Sequence, residues 1–258
     1  MVAEKRNHLF VYGNIMLITS TQNSKVKRVR ALLKDKKARD ESNAFVVEGV
    51  TMVKDIPDFC KPETILVKQS KLDKYENLLC KACEYDVVKD EVFDSMCDTV
   101  TPNGIIVVLK KFETKPISGD MVLLLDGVSD AGNVGTILRS AACRGVETIV
   151  LCDCADIYSP KVVRSSMGGI FFVNCIQTDR KTALNLLKEY DVVCLDMDGE
   201  SIYEYKRNGK IALAVGNEAH GVSEEIRANS AYTLAIPIKN VESLNAGVSA
   251  SISMFIIQ

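Results

Sequence analysis

Histidine is nearly absent from this chain: His8 and His220 are the only two among 258 residues, so sites built from several imidazoles are excluded. No apolar run approaches the roughly 18 residues needed to span a bilayer. The amino terminus also lacks the charged-then-apolar pattern and small-residue cleavage site of a secretory leader. These absences point away from the membrane and toward the cytoplasm. Cysteine is odd in number, with nine residues, and Cys152, Cys175 and Cys194 lie in apolar, strand-like runs that suit reduced core thiols. Cys80-Lys-Ala-Cys83 and Cys152-Asp-Cys154 each have the spacing of half a zinc site, but no second pair matches, so no metal is expected. Nucleotide-loop chemistry is incomplete in the same way. Gly132-Asn-Val-Gly135 lacks the first glycine of a dinucleotide fingerprint, and Val222 stands where the lysine of a phosphate loop is required in the stretch from Gly216 to Ser223. No Gly-x-Ser-x-Gly elbow occurs, which leaves acyl transfer without a nucleophile.

What is present suits a folded α/β protein. A hydrophobic content of 47% over this length supports one large or two ordinary domains. The net charge of −2 hides a local excess. Residues 16–40 carry Lys25, Lys27, Arg28, Arg30, Lys34, Lys36, Lys37 and Arg39 against Asp35 and Asp40, a balance of +6. Val26, Val29, Leu32 and Leu33 form an apolar stripe within it, so the segment reads as a helix with one core face and one cationic face. The cationic face is either a solvated surface or a phosphate-binding one. Residues 1–15 resemble nothing downstream and are expected to be an extension from an upstream start codon or a cloning remnant. Strands at 44–49, 63–68, 85–88 and 104–109 alternate with helices at 50–55, 71–83 and 90–97, the pattern of a small α/β sandwich over residues 16–110. The polar stretch 111–119, with Pro116 and Gly119, reads as a linker. In the second domain, 120–258, strands are expected at 121–125, 147–152, 171–176, 192–196, 211–215 and 233–236, with helices at 179–189 and 243–256. A further short helix is bounded by Pro160 and by Gly168 and Gly169.

The stretch Asp126-Gly-Val-Ser-Asp-Ala-Gly-Asn133-Val-Gly-Thr-Ile-Leu-Arg139 carries the strongest indication of chemistry. A continuous apolar strand ends in Asp126 and opens into a polar turn, and from Asn133 onward apolar residues recur at helical spacing. Asn133 is therefore a candidate N-cap, with Arg139 on the second turn. Ligands of open α/β sheets collect outside the carboxyl ends of strands, where this turn lies. Two further strand-plus-loop segments follow, Gly216-Asn-Glu218-Ala-His220-Gly221-Val-Ser223 and Ile236-Pro-Ile-Lys-Asn-Val-Glu-Ser243-Leu244-Asn245-Ala-Gly-Val248.

Together these three segments resemble the signature of the SpoU (TrmH-like) branch of the SPOUT RNA methyltransferases. Residues 159–172 are similar to a fourth segment, and Asn23-Ser-Lys25-Val-Lys27 and Phe45-Val-Val-Glu48-Gly49 to the RNA substrate-binding domain that precedes it. The resemblance implies a homodimer with a carboxyl-terminal parallel-sheet domain tied in a trefoil knot. It also implies S-adenosylmethionine as cofactor, RNA as partner and methylation of a ribose 2′-oxygen. By position, Gly216, Ile236 and Leu244 match residues that hold the cofactor, and Asn133, Arg139, Glu218, Ser243 and Asn245 match the catalytic pocket. Lys25, Lys27, Arg28, Lys161 and Arg164 are candidate RNA contacts. The chain departs from the family pattern at Ala131, where proline is common, and at Ser249, where a small apolar residue is usual. It also stops at Gln258, short of the usual tail, which bears on the dimer contact.

Each assignment has a plainer counterpart. Asn133, Ser243 and Asn245 are also good cap residues, Glu218 can form a salt bridge, and His220 lies in a turn without a visible partner for base catalysis. Lys161 and Arg164 can be ordinary surface. Three functions remain: a 2′-O-methyltransferase acting on ribosomal RNA or, alternatively, on transfer RNA; a non-catalytic RNA-binding or ribosome-assembly factor on the same scaffold; and a nucleotide-dependent enzyme of ordinary doubly wound type. A separate amino-terminal domain favours ribosomal RNA by analogy alone.

Overall fold

The computed structural model describes residues 15–79, 84–97 and 102–257, so residues 1–14 and the Cys80 and Cys83 half-site lie outside the described residues. The chain divides after Lys110 into two compact units. In the first, β1 (Leu17–Ile18), α1 (Ser24–Lys34), α2 (Lys36–Glu41), β2 (Ala44–Glu48), α3 (Val50–Lys54), β3 (Thr64–Lys68), α4 (Glu76–Leu79), β4 (Asp86–Val88), α5 (Asp90–Asp94) and β5 (Ile105–Lys110) follow one another. The strands form a mixed sheet in the order β1-β4-β3-β5-β2, with β2 and β3 antiparallel to β5. Alternation along the strands sends Val46, Leu66, Ile106 and Val108 to one face, against Val26, Val29, Leu32 and Leu33 of α1. Val67 and Ile105 go to the other face, with Tyr75 and Leu79.

Two expectations for this unit are corrected. The basic segment is two helices, because Asp35 takes an extended conformation that ends α1 while its carboxylate accepts from Lys37 N at 2.8 Å and caps α2. The helix expected over 71–83 is, among the described residues, two 3₁₀ turns, Gln69–Lys71 and Asp73–Tyr75, leading into the short α4. Tertiary demands override helical periodicity here. Ser70 N bonds to Asp90 Oδ1 at 3.0 Å, and Tyr75 is drawn into the core with its hydroxyl donating to Asn103 O.

The second unit contains β6 (Met121–Asp126), α6 (Ala131–Arg144), β7 (Thr148–Cys152), α7 (Pro160–Ser166), β8 (Asn174–Gln177), α8 (Arg180–Leu186), β9 (Asp191–Ser201), β10 (Ile211–Gly216), α9 (Glu224–Arg227), β11 (Tyr232–Ala235) and α10 (Ala246–Ile256). Its six strands are all parallel, in the order β11-β9-β10-β6-β7-β8. Every residue of β6 is buried, which is why that strand reads as a continuous apolar run. The chain winds outward from β6 through β7 to β8 and then returns to β6's other side, leaving β6 and β10 adjacent at a topological switch point. Their ladder ends with Gly216 opposite Asp126, so the two loops that follow leave the sheet side by side.

Residues 111–119 carry no regular secondary structure, yet they are strapped to this unit. Asn174 bonds Lys115 N at 3.0 Å and Lys115 O at 2.9 Å, and Ser118 N donates to Thr148 Oγ1. The strand expected from Phe171 begins only at Asn174, because Gly169–Phe171 is a 3₁₀ turn pressed on α6. A Cβ on Gly169 would lie 2.7 Å from Leu138 O. Strand β9 is longer than expected. Its pairing with β11 jumps from Cys194 opposite Thr233 to Glu200 opposite Leu234, so residues 195–199 bulge out of the ladder.

Candidate active site

The site grows from the carboxyl end of β6. Asp126 is 1% exposed, and its two oxygens serve different elements: Oδ1 accepts from Arg180 Nε of α8, and Oδ2 from Ser223 N ahead of α9, both at 2.7 Å. Arg180 reaches on to Asp153 beyond β7. A buried carboxylate is stable only while its guanidinium counter-charge and its N–H donor both stay in place, so Asp126 ties α8 and the loop ahead of α9 to the sheet edge.

Helix α6 begins earlier than its apolar periodicity suggests. The N-cap is Asp130, whose Oδ1 accepts from Asn133 N at 2.9 Å, and Asn133 lies in the first turn rather than capping it. Lys161 Nζ holds the other Asp130 oxygen at 2.9 Å. The bond from Lys161, followed by that from Asn133 N, keeps the Asp130 carboxyl below the usual carboxylate range. Relieved of capping, the Asn133 side chain is nearly buried and makes two tertiary bonds. Its Nδ2 donates to Glu218 Oε1 at 2.6 Å, and its Oδ1 accepts from Asn245 Nδ2 at 2.7 Å. Asn245 is itself the N-cap of α10, accepting from Val248 N at 3.1 Å. The last helix therefore starts at Ala246, three residues later than expected, and Ser243 precedes it in the loop.

Beside this relay lies a cavity of about 340 Å³, walled by the bulge of β9 and the loops after β10 and β11. Gly216, Ile236 and Leu244 all line it, as do Glu218, Ser243 and His220. Gly216 is required sterically: a Cβ there would fall 2.0 Å from Gly221 C, because the 217–221 loop folds straight back over it. Asp196 and Met197, from the β9 bulge, complete one wall. Burial works against the Asp196 charge, but the Arg227 guanidinium and the N–H of Asp198 outweigh it and leave the carboxyl below its usual range. Across the cavity, no described residue hydrogen-bonds the backbone N–H and C=O groups of residues 236–244.

The remaining candidates fall elsewhere. Arg139 is on the third turn of α6, six residues past Asn133 and so about 9 Å farther along the axis. It is exposed, does not line the cavity, and has no hydrogen-bond or ion-pair partner among the described residues. Lys161 is exposed beside Asp130, while Arg164 is half-buried on α7. In the first unit Lys25 pairs with the nearly buried Asp86 and Arg28 with Glu63, whereas Lys27 is exposed and unpaired among the described residues. Three thiols near the sheet are not activated: burial pushes Cys152 and Cys175 up to about 12 and Cys154 up to about 11. Sequence reasoning marked Asp126 as the end of its strand without giving it a role, and passed over Asp130, Asn217 and Arg180. The available signal was a carboxylate ending an otherwise apolar buried strand.

Two family models match the chain, the SpoU rRNA Methylase family over residues 120–255 and the MRM3-like substrate binding domain over residues 23–107. The sequence is 30% identical over 246 residues to the 23S rRNA (guanosine(2553)-2'-O)-methyltransferase RlmP of Bacillus subtilis, a match covering 92% of this chain and 97% of that protein. It is 25% identical over 308 residues to the mitochondrial rRNA methyltransferase 3 of Mus musculus, covering 90% and 71%. Among solved structures, the AdoMet-bound rRNA methyltransferase from Sinorhizobium meliloti superposes with a TM-score of 0.82 at 25% identity, over 95% of this chain and 97% of that one.

Proposed function

This chain belongs to the SpoU rRNA methylase family, and from that premise we propose that it transfers the methyl group of S-adenosylmethionine to a ribose 2′-hydroxyl of ribosomal RNA. The observation that carries this reading is the convergence of Asn133, Glu218 and Asn245, from three distant segments, beside the cavity lined by Gly216, Ile236 and Leu244.

The residues present fit the cofactor. The cavity lies within the range of roughly 300–1,000 Å³ that small-molecule sites occupy. The free backbone of residues 236–244 offers donors and acceptors for a heterocycle edge, and Ile236 and Leu244 offer apolar contact. Glu218 and Asp196 give the lining a negative charge suited to a cationic ligand. When bound, S-adenosylmethionine supplies an electrophilic methyl group on a sulfonium.

The protein's part is to orient the acceptor hydroxyl and stabilise charge as its proton leaves. Asn133 occupies one acceptor site of Glu218 and leaves the second carboxylate oxygen open, so the relay orients the carboxylate toward an approaching donor hydroxyl. Ser243, on the cavity wall, adds a hydroxyl able to donate or accept. Arg139 stays protonated, and its fork suits a phosphate beside the reacting ribose, lowering the cost of negative charge on the oxygen.

Arg139 lies off the cavity of its own chain. A homodimer, working in the cytoplasm, gives it a role by bringing it to a partner's site. The outward residues of α10 support such a contact, since Val248 and Phe255 expose apolar surface one helix away from Arg139. In this reading the second unit is knotted, with α10 docked on α6 through Ser251 on Ser140 and Arg144 Nε on Met254 O. RNA phosphates are held by Lys27 and its neighbours in the first unit and by Lys161 in the second.

The test is transfer of labelled methyl from S-adenosylmethionine to purified ribosomal RNA and, separately, to transfer RNA. Nuclease digestion to nucleosides then identifies the product. Label recovered in a 2′-O-methylnucleoside from ribosomal RNA is expected; label on a base, or in transfer RNA alone, would sink the proposal.

A further inference from the structure

We propose that Asn217 is a positioning residue for methyl transfer, whose amide docks the loop carrying Glu218 onto the carboxyl end of β6 and so sets the approach of Glu218 to Asn133. This inference rests on the methyltransferase reading above.

The loop leaves β10 at Gly216 and closes on itself. Asn217 N donates to Gly221 O, and Gly221 N to Asn217 O, each at 2.9 Å. Inside this ring the Asn217 side chain uses both ends of its amide. Oδ1 accepts from Ala219 N at 2.9 Å and His220 N at 3.2 Å, which sets the path of the backbone through Glu218. Nδ2 donates to Gly127 O at 2.8 Å, and that bond reaches out of the loop to the turn after β6. Gly127 takes φ +73, a left-handed conformation that an L side chain resists, and its own N–H is fixed to Cys152 O at 2.8 Å. The carbonyl that receives Asn217 is thereby held to the sheet. At the loop's far end, Ser223 N is held by Asp126. Both ends of the Glu218 loop are thus pinned to consecutive residues, Asp126 and Gly127, and the same turn runs on to Asp130 and Asn133. Among the described residues, the Asn217 side chain is the one that bonds the loop beside Glu218 to the turn after β6.

The requirement is specific, because this position needs a donor toward Gly127 and an acceptor toward two N–H groups at once. A carboxylate keeps the acceptor and loses the donor, placing negative charge against a carbonyl oxygen. A protonated carboxyl restores both. The charged and titratable groups around the position are Glu218 and His220 on the loop itself, Asp126 with Arg180 and Asp153 at the sheet edge, and Asp196 with Arg227 near Gly221.

The experiment measures single-turnover methylation of ribosomal RNA at saturating S-adenosylmethionine, with cofactor binding followed by calorimetry and folding by thermal unfolding. Rates are expressed relative to the parent protein at the same pH. Misplacing a reacting group by about 1 Å costs on the order of 100-fold, and a loss of that size is expected for Asn217→Asp at about pH 7.5. Gly127 O and the nearby Asp126 and Glu218 carboxylates raise the introduced carboxyl's pKa against the lowering by the Ala219 and His220 N–H groups, so the relative rate should recover at least about tenfold as the pH is lowered toward about 5. Asn217→Ala should lose a similar rate with no such pH response. A parent-like rate for Asn217→Asp at about pH 7.5, or a relative rate that does not change with pH, overturns the proposal. Should Asn217→Asp not fold, Asn217→Ala decides: a parent-like rate overturns the proposal, and a loss of about 100-fold in a folded, cofactor-binding protein supports it. A parent protein that binds no S-adenosylmethionine would instead remove the methyltransferase reading itself.

Discussion

The charged side chains of α1 and the amides around α6 answer to different things. On α1 most of the cationic face serves its own unit: Lys25 neutralises Asp86, Arg28 pairs with Glu63, Arg30 donates to Ser95 O, and Arg39 of the following helix is buried against Leu32 O. Among the described residues, Lys27, Lys34 and Lys36 are left without partners. Around α6 the polar side chains are committed to one another, Glu218 to Asn133 and Asn133 to Asn245, while the nearby Arg139 is committed to nothing described. A local charge count therefore overstates what a surface offers to RNA. The groups free to act on a ligand are those the fold has not already used.

The severest way to break this comparison is to remove the helix that Asn245 caps. Truncation before Val248 deletes most of α10, with buried Ala250, Ser253 and Met254, and strips α6 of its packing partner. It is expected to abolish cofactor binding and the cooperative unfolding of the second unit, while the hydrogen-exchange protection of β2 and β5 in the first unit persists. Normal affinity for S-adenosylmethionine in the truncated chain would show that α10 is not needed to form the site.

A smaller effect, though still large, is expected at the uncommitted arginine. Arg139→Ala should lower turnover about 100-fold to 1,000-fold with cofactor affinity unchanged within a few-fold, and Arg139→Lys should recover only part of it. A near-normal single-turnover rate, or loss of the fold, would make Arg139 a spectator or a structural residue.

The smallest effects sharpen the contrast within the first unit. Neutralising Lys27, Lys34 and Lys36 together should reduce the salt slope of RNA binding by about two to three with no change in thermal stability. Neutralising Lys25 and Arg28 should do the reverse, costing about 1 kcal/mol or less of stability at the partly exposed Arg28–Glu63 pair, more at Lys25, whose loss strips the nearly buried Asp86 of its counter-charge, and little of the salt slope. Equal slopes for the two sets would mean that the pairs open on RNA.

How much of this was legible in the sequence depended on the range of the interactions involved. The apolar run of β6, the glycine-marked turns and the helical spacing of α6 are local patterns, and they read through to the structure. So did the cavity-lining positions Gly216, Ile236 and Leu244, through resemblance. The N-cap of α6 was misplaced because Asp130 and Asn133 are both good caps; the choice is made by Glu218 and Asn245, which claim the Asn133 side chain from 85 and 112 residues away. The split of the basic segment at Asp35 was visible in principle, since aspartate between lysines is a cap signal. The pairing of Lys25 with Asp86 spans 61 residues and leaves no local trace. The same holds for the β9 bulge, at whose end Gly199 lies so close to the Leu234 backbone that a Cβ would sit 2.6 Å away.

The distance in sequence between Asn133 and Asn245 also carries a consequence for the life of the chain in the cell. Synthesis proceeds from the amino terminus, and domains fold as they emerge. A nascent chain that already displays the first unit and the whole of α6 has Asn133 in place but not the amide that completes its bonding, nor the wall that Leu244 contributes to the cavity. The site is absent until the segment around Asn245 has cleared the ribosome and α10 has docked. A nascent chain of this kind, whose proposed substrate is ribosomal RNA, therefore lacks a complete site until residues 244–256 have emerged.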